Sequence, residues 1–564
     1  MNNKANKLII VVLMAGGFLA NAQSNTSYDQ LVEFFKSFRE FQKPALTDDG
    51  IPDYSDAAMD KKAIEFKQYR EQMSAIDTTG WTIAKQADYY LVWAEMNAVD
   101  FHLNKYKPWK HDPGFYSFFG SGDAGSSMNL EGIMPVFFDF EGPLSKQQKK
   151  QIENGLKIVP KVLEQARTNL SDASGDFAEF AIRNLKEEVQ FFNGMGEEMF
   201  SGNKKLDKLA KEASKAIEDY RQWILANKHK MTRPAGSGKE AFSWWNHKVQ
   251  LSPWGWEESN TIIQREYDRA ITFLKLEEQR NRDLPPLEVA MTQRAYNKSL
   301  RDALHFAIKW LDENEIMTIE DWANPRDYYW GGRGSAGELS ELSDNPNDDV
   351  NKEFLPENSN VDLKYRQREI LPGENHEYVG HMLDDQRQER LKVSPVQQVM
   401  GAPRFNMGSM RLEGWAVWME ECLMQAGFLD GRPRKGREMV YIMMASHMSL
   451  SVPDMKMHAN EINLAEARQL CADITPRGWT RPDEGVVFFE MQSNLRNPGG
   501  FHNNVVTGKA YFMKMFRDYA VMKGEDFKVK EFIDDVLSYG IIPMPLIRWQ
   551  MLGDDSEIRA ISKS

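Results

Sequence analysis

Apolar residues recur every third or fourth position along most of the chain, and runs that alternate between apolar and polar residues are scarce. The first spacing places apolar side chains on one face of an α-helix, whereas alternation would indicate a half-buried strand. The pattern therefore predicts an all-α, mostly helical fold with few short strands. The predicted helices cover residues 28–42, 83–104, 146–169, 177–199, 205–227, 287–312, 375–389, 412–426, 437–450, 464–473, 483–495 and 505–522.

Two local features mark boundaries within this pattern. Ser145 and Gln148 have the spacing of a capping box, which would open the helix at 146–169. Residues 327–349 (DYYWGGRGSAGELSELSDNPNDD) lack helical periodicity and are rich in glycine, serine and acidic residues. A loop of this length in a compact domain is often a lid over a functional site, and a solvated connector is an equally weighted alternative.

The N-terminus has the pattern of an export signal. A positively charged start and an apolar run at 8–19, too short to span a bilayer, precede the small-x-small sequence ANA that ends at Ala22. We therefore expect 1–22 to be a signal peptide cleaved after Ala22, and 23–564 to be a single helical domain. No cysteine follows the apolar run before Cys422. The expectation is a periplasmic or secreted protein that has no transmembrane segment and is not a lipoprotein.

The net charge of the chain argues against some classes of binding partner. The sequence holds 70 basic and 83 acidic residues, a net charge of −13, and loss of a signal with two lysines would make it −15. Such a chain repels phosphate backbones and anionic lipid head groups, which argues against nucleic-acid and membrane-surface partners. The two cysteines, Cys422 and Cys471, are too few for a disulfide scaffold. The sequence leaves open whether they pair, and it leaves the oligomeric state open as well.

Histidines concentrate near the C-terminal end. Five of the ten lie in one span of 127 residues, and the other five are scattered among aromatic residues and lysines, as surface or core histidines are. A catalytic zinc ion takes three protein ligands and keeps a fourth position for water, so a metal site is expected in this span. His447, which lies among methionines, is interpreted as a core residue. The five clustered histidines are His376, His381, His447, His458 and His502.

The stretch GENHEYVGHM at 373–382 comes close to the zinc motif H-E-x-x-H, but His376 and His381 are five residues apart rather than four. Four residues turn an α-helix by about 400° and five turn it by about 500°, which would splay the two side chains by roughly 140°. A regular helix therefore cannot present both to one ion. A one-residue bulge of the π type would bring them together, and Gly380 makes such a departure easier.

Glu413 is the natural third ligand. It lies 32 residues after His381, on the next predicted helix, and a carboxylate there completes many two-histidine zinc sites. Its helical face is otherwise small and apolar except for Glu420, which indicates a buried partner rather than solvent. The alternative is an ordinary exposed helix whose tryptophans face the core.

Together these segments resemble the bacterial family known as domain of unknown function 885, whose members are similar to zincin-type metallopeptidases and adopt a largely α-helical fold. The family's signature runs H-E-A-x-P-G-H-H-x-Q, then E-G-W-A, then an aspartate–histidine segment, then P-G-Q-A-x-x-Y. The resemblance extends over most of the chain and is strongest between residues 238 and 519. The corresponding segments are HEYVGHM at 376–382, EGWA at 413–416, DMKMH at 454–458 and PGGFH at 498–502.

The resemblance implies a zinc ion bound by His376, His381 and Glu413. Glu377 would then be the general base, taking a proton from the zinc-bound water and passing it to the leaving amine. The chain departs from the signature in three ways. It lacks the proline before the glycine, it has Met382 in place of the second paired histidine, and its last segment has no tyrosine.

A hydrolytic site also needs a donor for the developing oxyanion. His458 and His502 are candidates for this catalytic role. Arg496 is a further candidate donor, or a substrate-binding residue, since a guanidinium can clamp a substrate carboxylate in a bidentate way. Simpler interpretations are a turn contact for His458, a surface position for His502 and a helix-terminal contact for Arg496.

The sequence thus predicts an exported zinc-dependent peptidase-like hydrolase, of the carboxypeptidase or dipeptidase type, acting on peptides with free ends. Two alternatives stay open. The first is a catalytically inactive binding or scaffold protein on the same fold, with the metal lost together with the second histidine. The second is a helical glycan-binding protein of the outer surface.

Overall fold

The computed structural model describes residues 27–117, 144–198, 203–326, 328, 355, 357–498 and 501–563. Helices make up most of this part of the chain and confirm the all-α fold. The few short strands that were expected do not occur within these ranges, where only isolated bridges such as that between Leu46 and Pro52 are found. The predicted signal peptide lies outside the described residues, and so does the predicted lid-like loop except for Tyr328.

The described residues of the N-terminal half consist mainly of amphipathic helices. Helix α3 continues into a π-helical turn, Phe101–Tyr106. Helix α6 packs against both α5 and α4. Besides the four-residue helix Pro108–His111, the α-helices described here are α1 (Ser27–Gln42), α2 (Asp56–Ser74), α3 (Ile83–Asp100), α4 (Lys146–Asn169), α5 (Gly175–Glu198), α6 (Lys204–Asn227), α7 (Lys239–Lys248), α8 (Trp256–Arg280) and α9 (Gln293–Glu313).

The C-terminal half holds the most deeply buried helices. One segment of it, Asn375–Met382, is π-helical and is called the π segment below. The helices are α10 (Val361–Arg366), α11 (Leu371–Glu374), α12 (Leu383–Gln388), α13 (Pro395–Met400), α14 (Ser409–Gln425), α15 (Gly436–His458), α16 (Leu464–Ile474), α17 (Gly485–Arg496), α18 (Phe501–Lys523), α19 (Val529–Leu537), α20 (Met544–Leu552) and α21 (Ser556–Lys563).

Local sequence signals set several of the boundaries. The predicted capping box is confirmed: Gln148 N–H donates to Ser145 Oγ at 3.2 Å, and Ser145 N–H donates to Gln148 Oε1 at 2.8 Å. Helix α9 begins six residues later than predicted, where the Thr292 side chain caps its first turn. Helix α15 runs eight residues past its predicted end, through Pro453. Nearly all of its residues are buried, so tertiary packing outweighs the local helix breaker.

The core is centred on α14, which crosses α18 at close range. A Cβ atom added to Gly414 would lie 2.5 Å from the Cα of Gly508, and one added to Gly508 would lie 2.4 Å from the carbonyl oxygen of Met410. Only glycine at both positions permits this approach of two backbones. Because Glu413 precedes Gly414, this crossing also fixes where its carboxylate lies.

Within the described residues, the two cysteines and the apolar character of the helices bear on two points that the sequence raised. Cys422 and Cys471 are both free thiols, so the pairing that the sequence left open does not occur. Among the helices described, none combines the length and the apolar character that crossing a bilayer requires. Tyr328 packs edge-on against Tyr378 of the π segment, with ring centroids 5.3 Å apart.

Candidate metal centre

The π segment brings the two histidines of GENHEYVGHM together. Hydrogen bonds in a π-helix run from residue i to residue i+5, so positions five apart stack on one face. The Nε2 atoms of His376 and His381 accordingly lie 3.0 Å apart. The predicted π-type bulge is confirmed. In this winding, two histidines with H-E-x-x-x-H spacing can face the same metal ion.

Glu413 of α14 faces this pair. Its Oε2 atom lies 3.7 Å from His376 Nε2 and 3.5 Å from His381 Nε2. The point equidistant from the three atoms lies about 2.0 Å from each, which is the usual length of a zinc–nitrogen or zinc–oxygen bond. Two imidazoles and one carboxylate are also the donor set of many catalytic zinc sites. The three residues therefore fit a single divalent cation.

Gly380 allows the π segment to lie close to α14, and this role is separate from the ease with which glycine leaves regular helical geometry. A Cβ atom at this position would lie 2.6 Å from the Cβ and 2.8 Å from the Cα of Ala416 on α14. Heavy atoms cannot approach so closely, so only glycine lets the π segment pack directly on α14. Met382, one residue after His381, packs its half-buried side chain against the hydrophobic core.

We expect Gly380→Ala to lower the free energy of unfolding by about 1–3 kcal/mol, since the added methyl group forces the π segment away from α14. Urea denaturation followed by circular dichroism measures the change. Gly194→Ala is the matched control, because nothing lies within 4 Å of a Cβ atom at that helical position. If the two variants were equally stable, the packing of Gly380 on Ala416 would not be limiting.

A second layer of polar side chains holds the first histidine. Nδ1 of His376 lies 2.7 Å from Oε1 of Glu420, which is two helical turns after Glu413 on α14 and is 1% exposed. The same oxygen lies 3.3 Å from Nε2 of His447 on α15, whose ring stacks on that of His376. A carboxylate behind a ligating histidine fixes the tautomer that leaves Nε2 free for a metal. His447 is therefore part of this site, contrary to its interpretation as a core residue.

The electrostatics of the site favour anionic carboxylates. Burial disfavours ionisation of Glu413, but His381, His376 and His502 together outweigh burial and lower the pKa of Glu413 to about 2. Burial also disfavours the charged form of His381, and Glu413 in turn raises the pKa of His381 to about 9. For Glu420, burial is again outweighed, here by His447 and His376, so its pKa is lowered. Divalent cations bind the ionised form of a carboxylate and the neutral form of histidine, so His381 must release its proton when a metal binds.

Glu377 lies at the rim of the site, with 42% of its side chain exposed. Its Oε1 atom accepts a hydrogen bond of 3.0 Å from Arg366 of α10. The same guanidinium donates to Glu374 at 2.9 Å and to Asp362 at 3.1 Å, and the arginine is itself buried. Glu377 is thus open to solvent but held in place by a buried cation.

His502 also approaches the centre. Its ring centroid lies 5.9 Å from that of His447, and its positive form would help to lower the pKa of Glu413. Nδ1 lies 2.6 Å from Oε2 of Glu490 on α17, and the backbone N–H donates to the side chain of Asn494. His502 is 5% exposed, so the interpretation as a loop surface residue is wrong.

His458 has other partners. It is fully buried, and its ring nitrogens lie 3.1 Å from Ser237 Oγ and 3.1 Å from the carbonyl oxygen of Asn494. Burial lowers its pKa to about 4 although the contact with Asn494 opposes this shift. A neutral histidine with both nitrogens engaged ties α15 to the neighbouring segments, so we correct the expectation of a catalytic role.

Arg496 is likewise engaged elsewhere. Its Nε donates to Asp112 Oδ2 at 2.7 Å, and a terminal nitrogen lies 3.4 Å from Oδ1 of the same residue. The arginine is 3% exposed, and the partner is 384 residues away in the chain. This buried pair anchors the end of α17. Arg496 is therefore not placed to bind a substrate carboxylate, contrary to expectation.

One protein-family model matches part of the chain. Residues 376–551 match the family model described as "Bacterial protein of unknown function (DUF885)". The match supports the DUF885 family. The matched segment includes both histidines, Glu413 and the second layer that holds them. Comparison with curated proteins gives no match.

Two solved structures resemble the fold nearly end to end. One is that of a candidate lipoprotein of unknown function from Shewanella oneidensis, with a TM-score of 0.68, 16% identity, and coverage of 94% of this chain and 100% of that chain. The other, a candidate lipoprotein from Colwellia psychrerythraea, has a TM-score of 0.63, 14% identity, and coverage of 96% and 100%. At these identities the likeness shows the fold alone.

Proposed function

We propose that the chain is an exported zinc-dependent hydrolase that cleaves peptide bonds, on a zincin-like helical fold. The observation that carries the proposal is the convergence of His376, His381 and Glu413, whose ligand atoms suit one ion at bonding distance. The carboxylate behind His376 supports it further, because metal-ligating histidines commonly have such a partner. Both similar structures are of candidate lipoproteins, and this likeness gives no support to the expectation that the chain is not a lipoprotein.

The residues divide the chemistry between them. A zinc ion held by the three ligands would polarise the scissile carbonyl and lower the pKa of water to about 7. Glu377, open to solvent and oriented by Arg366, accepts the proton of the attacking water and delivers it to the leaving amine. His502, whose Nδ1 lies 2.6 Å from Glu490, would be the donor to the developing oxyanion.

Zinc titration of the chelator-treated full-length protein tests the proposal. Wild type is expected to bind one equivalent, and Glu413→Gln to bind none tightly, because the amide is a poor ligand for zinc. Glu420→Gln, which removes the carboxylate behind His376, is expected to weaken binding by about 10–100-fold. Both are read by isothermal calorimetry, with peptide hydrolysis as a parallel assay.

The matched control is Glu389→Gln, since that carboxylate is 75% exposed and lies two helical turns beyond His381. It should bind zinc as wild type does. A wild-type protein that takes up far less than one equivalent would contradict the proposal and would favour the metal-free binding protein. In that case the short contacts among His376, His381 and Glu413 would be an ordinary buried ion-pair cluster.

A further inference from the structure

A groove of about 750 Å³ adjoins the candidate metal centre. Its walls are the loop at 284–290, the segment at 366–370 and the segment at 432–435, which leads into α15. Arg366 belongs both to this wall and to the metal centre, where it donates to Glu377 at 3.0 Å. The groove and Glu377 are therefore separated by no more than one arginine side chain.

The groove is basic although the protein is acidic. Two acidic side chains, Glu288 and Glu369, line it together with five cations. The whole sequence has the opposite balance, with 70 basic and 83 acidic residues. The five cations are Arg366, Arg368, Arg432, Arg434 and Lys435.

Arg366 and Arg432 are neutralised within the protein, Arg366 by the three carboxylates described above, whereas other cations of the groove are not. Arg432 donates to both carboxylate oxygens of Glu369, at 2.9 and 3.2 Å. Arg434, which is exposed, and Lys435, which is half-buried, form no ion pair with any residue that the structure describes. Their charges are therefore available to a ligand.

Arg368 adds to the positive field. It donates to the carbonyl oxygen of Lys364 and lies 4.8 Å from the ring of Trp479, so its contacts leave its charge in place. Burial and then the nearby Arg477 lower its pKa, as expected for a cation beside another cation. An anionic group entering the groove would relieve this repulsion.

We propose that this groove recognises acidic peptides, with carboxylates on one side of the scissile bond bound by Arg434 and Lys435. The inference deepens the proposed function and rests on it, since it assigns the class of substrate. Carboxylates are the natural partners of these side chains, because charge-assisted hydrogen bonds are shorter and stronger than hydrogen bonds between neutral groups. A neutral peptide of the same length would gain none of this attraction.

Binding of two labelled peptides to the chelator-treated full-length protein tests the assignment without turnover. Tetraglutamate is expected to bind about five- to tenfold more tightly than tetraglutamine at low salt. The double variant Arg434→Ala/Lys435→Ala should abolish that preference, and Arg434→Glu alone should lower it. Both positions are at least partly open to solvent, and thermal melting verifies that each variant is folded.

The matched control is Lys208→Ala/Lys211→Ala, which removes two charges from α6 at positions 77% and 64% exposed. It should retain the preference. Equal affinity for the two peptides, or an undiminished preference in the double groove variant, would overturn the inference. Displacement of tetraglutamate by inorganic phosphate at equal concentration would also overturn it and would assign the groove to phosphate. Failure of zinc binding alone would contradict the hydrolase and leave this result intact, so the two failures are distinguishable.

Discussion

Glu377→Gln is expected to lower kcat for peptide hydrolysis by about 10²–10⁴-fold while leaving one equivalent of zinc bound. Glutamine has the shape of glutamate and its amide oxygen can still accept the hydrogen bond from Arg366, so the structure should be preserved. It cannot accept a proton at neutral pH, and the attacking water then has no base. Steady-state kinetics with a short peptide, together with metal analysis of the same sample, measures both quantities.

Two comparisons make this result specific. Glu389→Gln, which alters an exposed carboxylate on the same stretch of chain, should leave kcat unchanged. Arg366→Lys should lower kcat with a smaller effect on zinc, because lysine keeps the charge but lacks the fork that contacts three carboxylates. Full activity in Glu377→Gln would show that another group takes the proton, and full activity in Arg366→Lys would show that the orientation of Glu377 is unimportant.

Local pattern located many of the helices and the three residues that converge at the candidate metal centre, but it missed α2, α7, α8 and α19–α21. Helical periodicity located α1, α4, α6 and α14 to within a few residues, since each has a continuous apolar face. The π segment followed from geometry: two histidines five apart can share an ion only if the helix is wound differently. Glu413 followed from an acid on an otherwise small and apolar face. These inferences need only the residues within one or two turns.

The partners of buried polar groups could not be found in this way. Arg496 pairs with Asp112 across 384 residues, and His376 with Glu420 across 44. Such pairs are set by which helices cross, and the periodicity of each helix does not contain that information. The sequence does place Glu420 on the same helical face as Glu413, seven residues later, which indicates that both carboxylates face the same neighbour but does not identify it.

Arg411→Met is expected to lower the free energy of unfolding by about 3–5 kcal/mol, the largest stability change that we predict for a single side chain. Arg411 of α14 and Asp384 of α12 form a bidentate pair with distances of 2.9 and 3.0 Å, and both side chains are fully buried. Removing the guanidinium leaves a buried carboxylate without its counter-charge. Urea denaturation at neutral pH measures the loss.

The double variant Arg411→Met/Asp384→Leu is expected to recover most of that loss, because replacing a whole buried pair by apolar side chains is often neutral or stabilising. Lys215→Met is the control: it breaks an exposed pair with Asp219 and should cost less than about 1 kcal/mol. If the double variant were as unstable as Arg411→Met, packing rather than charge would hold α12 to α14.

Since α12 directly follows the π segment, this pair also holds His381 opposite Glu413. The single variant should therefore bind zinc more weakly even under conditions in which it is fully folded.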